Sequence, residues 1–329
     1  MVEQSVLMVG VGSYLPNKVV TNEALSKIID TSDTWIRRRT GIAQRHIVAE
    51  GETTSNLAYE ASKAALRNAS FTGSDIDLII VATTTPDNTF PSTAAKLQHD
   101  IEANGCIAFD IQAVCAGFVY AIDVAEAMLR AGRGRRALVV GAESFSKILD
   151  WKDRSTCVLF GDGAGAVILE LAEKNAQNWG IRSSVLHSDG AYRDILYVDG
   201  GPSINNLVGH VRMEGKEVFK HAVEKLSTSL KEALILSNKK INEIDWLVPH
   251  QANQRIILAV ADKMNIDVSK VISTVKDHGN TSAASIPLAL DKAMSLKKIL
   301  NGNLIGINAI GGGLSWGASI IRIGKPKFL

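Results

Sequence analysis

Two rhythms of apolar and polar positions alternate along the chain. Short apolar runs, such as Ile76-Asp77-Leu78-Ile79-Ile80-Val81 and the stretch 106–111, predict strands. Between them apolar residues recur at helical spacing, as in Phe118, Ala121, Ile122, Ala125 and Leu129. Further helical patterns cover 256–264 and about 282–296. Strand alternating with helix over the whole length predicts an α/β fold.

The two halves echo each other. The run 76–81 has a counterpart in Ile244-Asp245-Trp246-Leu247-Val248-Pro249, each after a helical pattern and a polar turn. Ala127-Met128 followed by Leu138-Val139 matches Ala293-Met294 followed by Leu304-Ile305 at one constant offset. Gly165-Ala166-Val167-Ile168 is echoed by Gly317-Ala318-Ser319-Ile320. The order is the same in both halves. We read a duplicated α/β unit, 1–174 and 175–329, joined through the polar stretch 173–179.

Three residues carry the candidate chemistry. Cys115 falls between the strand pattern 106–111 and a helical one, at or just before a helix N-terminus. Orphan N–H groups and the helix dipole there favour a thiolate, the nucleophilic form. A buried core cysteine is the competing reading, and the segment alone does not choose between them. At the repeat offset, Asn280-Thr281 takes the place of Val114-Cys115, so Asn280 also precedes a helix. His250 lies just past a strand's C-terminal end, where open α/β sheets bind ligands. Cys115, His250 and Asn280 can therefore meet in one cleft.

Composition narrows the partners. The 329 residues carry a net charge of +2, which makes no electrostatic case for nucleic acid. No apolar run is long enough to cross a membrane as a helix, and the first residues lack a secretory pattern. Cys106, Cys115 and Cys157 form no C-x-x-C pair, which points to a reducing, cytoplasmic setting without a metal site. His46, His99, His187, His210, His221 and His278 are expected to be structural or surface residues. The glycines of 161–165 and of Gly10-Val11-Gly12 lack the rest of a phosphate-loop or dinucleotide pattern, so tight turns or close packing are expected.

At these residues the chain strongly resembles β-ketoacyl-acyl-carrier-protein synthase III, the initiating condensing enzyme of type II fatty-acid synthesis. The similarity covers nearly the whole length. It is carried by Asp33-Thr34-Trp35-Ile36 with Arg39-Thr40-Gly41-Ile42, Thr85-Pro86-Asp87 with Phe90-Pro91-Ser92, and Cys115-Ala116-Gly117. Phe160-Gly161-Asp162-Gly163-Ala164-Gly165, Pro249-His250-Gln251-Ala252-Asn253, Gly279-Asn280-Thr281-Ser282, and Gly311-Gly312-Gly313 with Trp316-Gly317 complete it, in family order. Ile310 departs from the pattern, since family members often have Phe there.

The resemblance implies a thiolase-like fold, a duplicated α/β unit in five layers, αβαβα. It implies an acyltransferase that condenses an acyl-CoA primer, acetyl-CoA by expectation, with malonyl-acyl-carrier protein to give a 3-ketoacyl product and CO₂. Cys115 would be the nucleophile, the N–H groups of Cys115 and Gly312 the oxyanion hole, and His250 and Asn280 the donors to the enolate oxygen. Trp35, Arg39, Arg154 and Asn253 would bind coenzyme A, with adenine between Trp35 and Arg154. Phe90 would floor the acyl pocket across a homodimer interface. Arg255, Lys220 and Lys263 would meet the acidic carrier protein. Coenzyme A enters as substrate, and no cofactor is implied.

Three rivals stand beside this reading. A Cys-His-Asn enzyme making a polyketide or quinolone precursor differs only in its acyl pocket. A thioester hydrolase would use Cys115 and His250 with water as acceptor. Hydroxymethylglutaryl-CoA synthase would need a glutamate in the loop before the nucleophile, and Ala82-Thr83-Thr84-Thr85 has none.

Overall fold

Two mixed sheets organise the chain in the computed structural model, which describes residues 4–172, 176 and 178–325. The first sheet holds β1 (Val6–Tyr14), β2 (Leu78–Ala82), β3 (Ile107–Ile111), β4 (Arg136–Glu143) and β5 (Gly163–Leu171), in the order β1-β5-β4-β2-β3. The second holds β6 (Gly180–Ser188), β7 (Trp246–Pro249), β8 (Leu304–Gly311) and β9 (Ser315–Arg322), in the order β7-β8-β9-β6. Strands β2, β3 and β4 run parallel, as do β7 and β8, and the remaining pairs are antiparallel. All five residues of β2 are buried. Burial on both faces is why this strand reads as an unbroken apolar run rather than an alternating one.

Helices cover both sheets. The helices are α1 (Asp33–Thr40), α2 (Thr54–Ala69), α3 (Thr93–Asp100), α4 (Gly117–Arg130), α5 (Gly215–Leu236), α6 (Gln254–Lys263) and α7 (Ser285–Ser295). On the outer face of the first sheet, Leu57, Ala61 and Ala65 of α2 and Leu97 of α3 pack with Ile79, Val81, Leu138 and Val140. The alternate strand residues Leu78, Ile80, Ala137 and Val139 face inward, to α4 and α7. Ile305 and Ile307 of the second sheet share that central cluster. Ala222, Leu226 and Leu230 of α5 and Val260 of α6 cover the far face, against Leu247, Leu304 and Ile320. The result is the expected five-layered αβαβα arrangement of the thiolase-like fold.

The second sheet repeats the strand order of the first. β6-β9-β8-β7 matches β1-β5-β4-β2, and Val271 bridges Leu247 in parallel where a counterpart of β3 would lie. The ladders correct the sequence alignment of the halves. Leu78 lies opposite Ala137 and Trp246 opposite Ile305, so both strands are shifted by 168 (246 − 78 and 305 − 137). The sequence match of Leu138 with Leu304 is two residues short of this. A slip of two leaves every strand side chain on its original face, so hydrophobic patterning does not register it. Val114 and Ser282, both at φ 49°, begin equivalent turns, and the counterpart of Cys115 is Ala283 rather than Thr281. The expected junction at 173–179 falls largely outside the described residues, which exclude 173–175 and 177.

The short glycine motifs serve packing. Gly165 of β5 lies against Pro287 of α7. Gly12 of β1 lies against the backbone of α2, where a Cβ would sit 2.2 Å from Ala65 N and 2.7 Å from Ala61 O. Backbone cannot yield there as a flexible side chain could. Gly12→Ala is therefore expected to lower unfolding free energy by about 2–3 kcal/mol in urea titrations. Gly190→Ala, with open space around the added methyl, should stay within about 0.5 kcal/mol of wild type. An unchanged urea midpoint for Gly12→Ala would show that β1 does not seat this closely on α2.

Candidate active site

The chain leaves β3 at Ile111, turns through Val114–Ala116 and enters α4 at Gly117. Cys115 thus lies directly before a helix, as its sequence context indicated. The turn packs on the Ser282–Ala284 turn and on the end of β8. At Gly311 a Cβ would lie only 2.6 Å from Cys115 N, so glycine is what lets β8 end against the nucleophile. Gly312, the other expected oxyanion donor, is the next residue.

The resting state of Cys115 follows from a burial that its sequence context left open. The side chain is buried, and burial pushes its pKa up to about 12. The neighbouring Ser282 side chain opposes the shift, while the nearby Glu143 carboxylate adds to it. The helix start does not outweigh the loss of water around sulfur. Cys115 therefore rests as a thiol, and any attack by its sulfur requires loss of that proton. Cys157 is a core residue and Cys106 is half-buried beside the outer core, as expected of small apolar residues.

His250 continues the ladder of β7 by donating its N–H to Asn308 O at 2.8 Å. Its ring is buried, which lowers its pKa to about 3, so the imidazole is neutral. Nδ1 lies 2.7 Å from Ser285 Oγ, which also accepts the Gln251 N–H at 3.2 Å. Where the hydroxyl proton of Ser285 points to Nδ1, the ring hydrogen sits on Nε2. Gln251 is spent on structure, bonding Pro249 O, Ile272 O, Thr274 N and Val275 N. The backbone of Asn280 is held between Leu159 and Gly161. Asn280 Oδ1 accepts the Ser282 N–H at 2.8 Å, which turns the amide N–H₂ end outward as the donor. One half of the chain holds the candidate nucleophile and the other holds the two candidate N–H donors.

The sequence reading missed Glu143, Ser282 and Ser285. Glu143 is fully buried at the end of β4. Its Oε2 accepts from Thr85 Oγ1 at 2.7 Å and Thr84 N at 3.1 Å, and its Oε1 accepts from Ser282 Oγ at 3.0 Å. Burial raises its pKa to about 7. The glutamate missing from the 82–85 loop in sequence is thus met there in space by one from β4. The available signal was a lone acid closing an otherwise apolar strand.

A separate cavity of about 460 Å³ is lined by Trp35, Arg38, Arg39 and Arg255. Three guanidiniums around one aromatic ring suit an anionic, aromatic ligand. Arg38 was not anticipated. The guanidinium of Arg154 lies 5.2 Å from the centre of the Trp35 ring and that of Arg39 lies 5.7 Å away. The expected gap between Trp35 and Arg154 is therefore closed, and a base enters it only if Arg154 swings aside. Asn253 caps α6 through Oδ1 and donates Nδ2–H to Arg39 O at 3.2 Å. Arg255 lines this cavity and also lies 5.4 Å over Phe219. Lys220 is exposed, whereas Lys263 is ion-paired with Glu224, so its charge is partly offset. Phe90 is 84% exposed. Its ring is open to solvent rather than enclosed by its own chain, unlike the floor of a pocket. Ile310 is buried in the outer cluster of the second sheet.

Residues 109–190 match the family model of 3-oxoacyl-[acyl-carrier-protein (ACP)] synthase III, and residues 235–323 match that of its C-terminal part. A relative from Erythrobacter litoralis, a β-ketoacyl-[acyl-carrier-protein] synthase III, is 57% identical over 95% of this chain and 98% of its own. The crystal structure of 3-oxoacyl-[acyl-carrier-protein] synthase III from Aquifex aeolicus is 45% identical, with TM-score 0.91 over 97% of this chain and 100% of that one. The priming β-ketosynthase of the R1128 polyketide pathway shares the architecture at 32% identity, with TM-score 0.92 over 98% and 97% of the two chains.

His278 separates a structural histidine from a site histidine. It is buried, and its pKa is lowered to about 4, mainly by burial and further by His46. The unfolded chain titrates near 6.5, so the native state binds fewer protons below that pH. The contribution of neutral His278 is complete above pH 6.5 and is lost as pH falls through about 4. The stability of the wild type relative to His278→Gln should drop by up to about 3 kcal/mol across that window in parallel melts. A pH-independent difference would mean that His278 is not held neutral by burial.

Proposed function

The chain belongs to the 3-oxoacyl-[acyl-carrier-protein] synthase III family, and from that premise we propose how its residues carry out the reaction. The enzyme is an acyltransferase, the condensing enzyme that initiates fatty-acid synthesis. Cys115 sulfur attacks the thioester carbonyl of an acyl-CoA. The N–H groups of Cys115 and Gly312 hold the oxyanion, and the coenzyme A thiolate leaves. Malonyl-acyl-carrier protein then binds, and its carboxylate departs as CO₂. The electron pair left behind forms an enolate, whose carbon attacks the acyl-Cys115 thioester. The 3-ketoacyl product leaves on the carrier, and Cys115 is freed. Decarboxylation itself supplies the carbanion, so this scheme needs no cofactor.

One observation supports the second half of the scheme above the others. His250 has its Nδ1 occupied by Ser285, and Asn280 has its Oδ1 occupied by Ser282. Both side chains are left presenting N–H, which is what an enolate oxygen requires. The catalytic set thus draws Cys115 from the half 1–174 and His250 and Asn280 from the half 175–329. The cavity of Trp35, Arg38 and Arg39, with Arg154 and Asn253 at its rim, suits the nucleotide end of coenzyme A. Arg255 and Lys220 would face the acidic carrier. The exposure of Phe90 suits a homodimer in which this ring closes the acyl pocket of a second copy and limits the primer to acetyl size. A cytoplasmic location completes the reading.

The test is to supply acetyl-CoA and malonyl-acyl-carrier protein and weigh enzyme and carrier. Acetyl on Cys115 followed by acetoacetyl on the carrier is expected. Acetyl-enzyme that yields only acetate would identify a hydrolase. In Asn280→Ala, acetylation should largely survive. Condensation and malonyl decarboxylation should fall together by about 10²–10³-fold, the usual cost of one oxyanion donor. Intact decarboxylation with collapsed acetylation would assign Asn280 to the first step and refute this scheme.

A further inference from the structure

Glu143 has no role in the scheme above, yet one hydroxyl separates it from the nucleophile. The turn of Ser282 packs on the turn of Cys115, where the Ser282 side chain acts on the thiol, and Ser282 Oγ donates to Glu143 Oε1 at 3.0 Å. The carboxyl has no exposed surface, and its bonded partners are the hydroxyls of Thr83, Thr85 and Ser282 and the N–H of Thr84. None of these carries positive charge. A carboxylate enclosed without a cation is costly, which makes it a ready proton acceptor.

The histidine cannot serve instead. A base at His250 would need a lone pair on Nε2, which the tautomer with Nδ1 accepting from Ser285 does not have. That tautomer suits the enolate and leaves the thiol proton of Cys115 with no acceptor on the ring. We propose that Glu143 receives the thiol proton of Cys115 through the hydroxyl of Ser282. This rests on the acyl-transfer reading above.

The step balances. As the bond from sulfur to the thioester carbon forms, the Cys115 proton passes to Ser282 Oγ and the Ser282 hydroxyl proton passes to Glu143 Oε1. When the bond from carbon to the coenzyme A sulfur breaks, Glu143 returns a proton along the same path to the leaving thiolate. In this relay Ser282 meets the reacting sulfur and is the catalytic residue of the pair. Glu143 acts through it. The left-handed backbone of Ser282, φ 49°, lets its N–H hold Asn280 while its side chain serves Cys115.

The electrostatics agree with a concerted transfer. Burial places Glu143 at about 7 and Cys115 at about 12. Moving the proton before attack would be uphill, so it leaves as sulfur bonds to carbon. Cys115 is the titratable group facing Glu143. Asp162 precedes Gly163, the ladder partner of Glu143, but is turned to Ser146 and Val48.

The experiment is single-turnover acetylation of Cys115 by acetyl-CoA, quenched and weighed, from about pH 5.5 to 9. The wild-type rate should rise with the ionisation of Glu143 near neutral pH. Glu143→Gln should abolish that limb and slow acetylation about 10²-fold at its plateau, the usual weight of a general base. Glu143→Asp should keep a limb. Ser282→Ala retains the backbone N–H to Asn280 and should lose the limb as well, which decides the matter if Glu143→Gln does not fold. A retained limb in either variant, or one constant factor lost at every pH, overturns the relay. A wild type that takes no acetyl overturns the acyl-transfer reading and the relay with it. An acetylated wild type with unaltered variants overturns the relay alone.

Discussion

Exclusion of water from one small volume is the constraint on which the rest of the site depends. Cys115, His250, Asn280 and Glu143 are all buried there. Burial disfavours whichever form is charged, so it moves each group in a definite direction. The thiol goes up to about 12, the imidazole down to about 3, and the carboxyl up to about 7. The resting site is therefore close to neutral in its reacting parts. Charge appears in it during reaction, and fixed N–H and O–H dipoles are already aimed where it appears.

The duplicated fold is what makes such a dry volume. Parallel strands end at one edge of each sheet, and the turns after β3 and before α7 project from those edges toward each other. α4 and α7 lie between the sheets with Ala121, Ala125, Ala289 and Ala293 among their buried residues. Small side chains let the two helices and the two sheets close up. Gly311 then brings β8 onto the Cys115 backbone. Chemistry divides between the halves because the paired turns are no longer alike. The position of Cys115 in one half is Ala283 in the other, and the freed second turn instead orients Asn280 and Ser282.

The fold class, the duplication and the places of Cys115, His250 and Asn280 at the ends of elements were legible in the sequence, since periodicity carries them directly. Three things were not. The repeat offset was read two residues short near the nucleophile, because a two-residue slip preserves strand facing. The choice between a thiolate and a buried thiol at Cys115 stayed open, because helix polarity is visible in sequence and depth of burial is not. Glu143 was passed over, because a single acid ending β4 carries no spacing signal; only the folded chain brings it from residue 143 to the 83–85 loop and to Ser282. Phe90 shows the opposite limit. Its motif is plain in sequence, but its ring is left exposed on its own chain.

The contrast between entrance and interior gives the two substrates different tasks. Arg38, Arg39 and Arg255 line the outer cavity, so the phosphates of a coenzyme A thioester can stay among cations and water. The thioester that passes inward is neutral and loses little on entering. The malonyl group is not neutral. Its carboxylate exchanges water for a volume whose nearest acid, Glu143, is itself paired only with hydroxyls and an amide. Loss of CO₂ relieves that cost, and the negative charge reappears on an oxygen within reach of His250 and Asn280. In the proposed scheme, the same burial that delays the first attack, by keeping Cys115 protonated, drives the second step forward. A carboxylate that can accept the thiol proton allows one site to meet both demands.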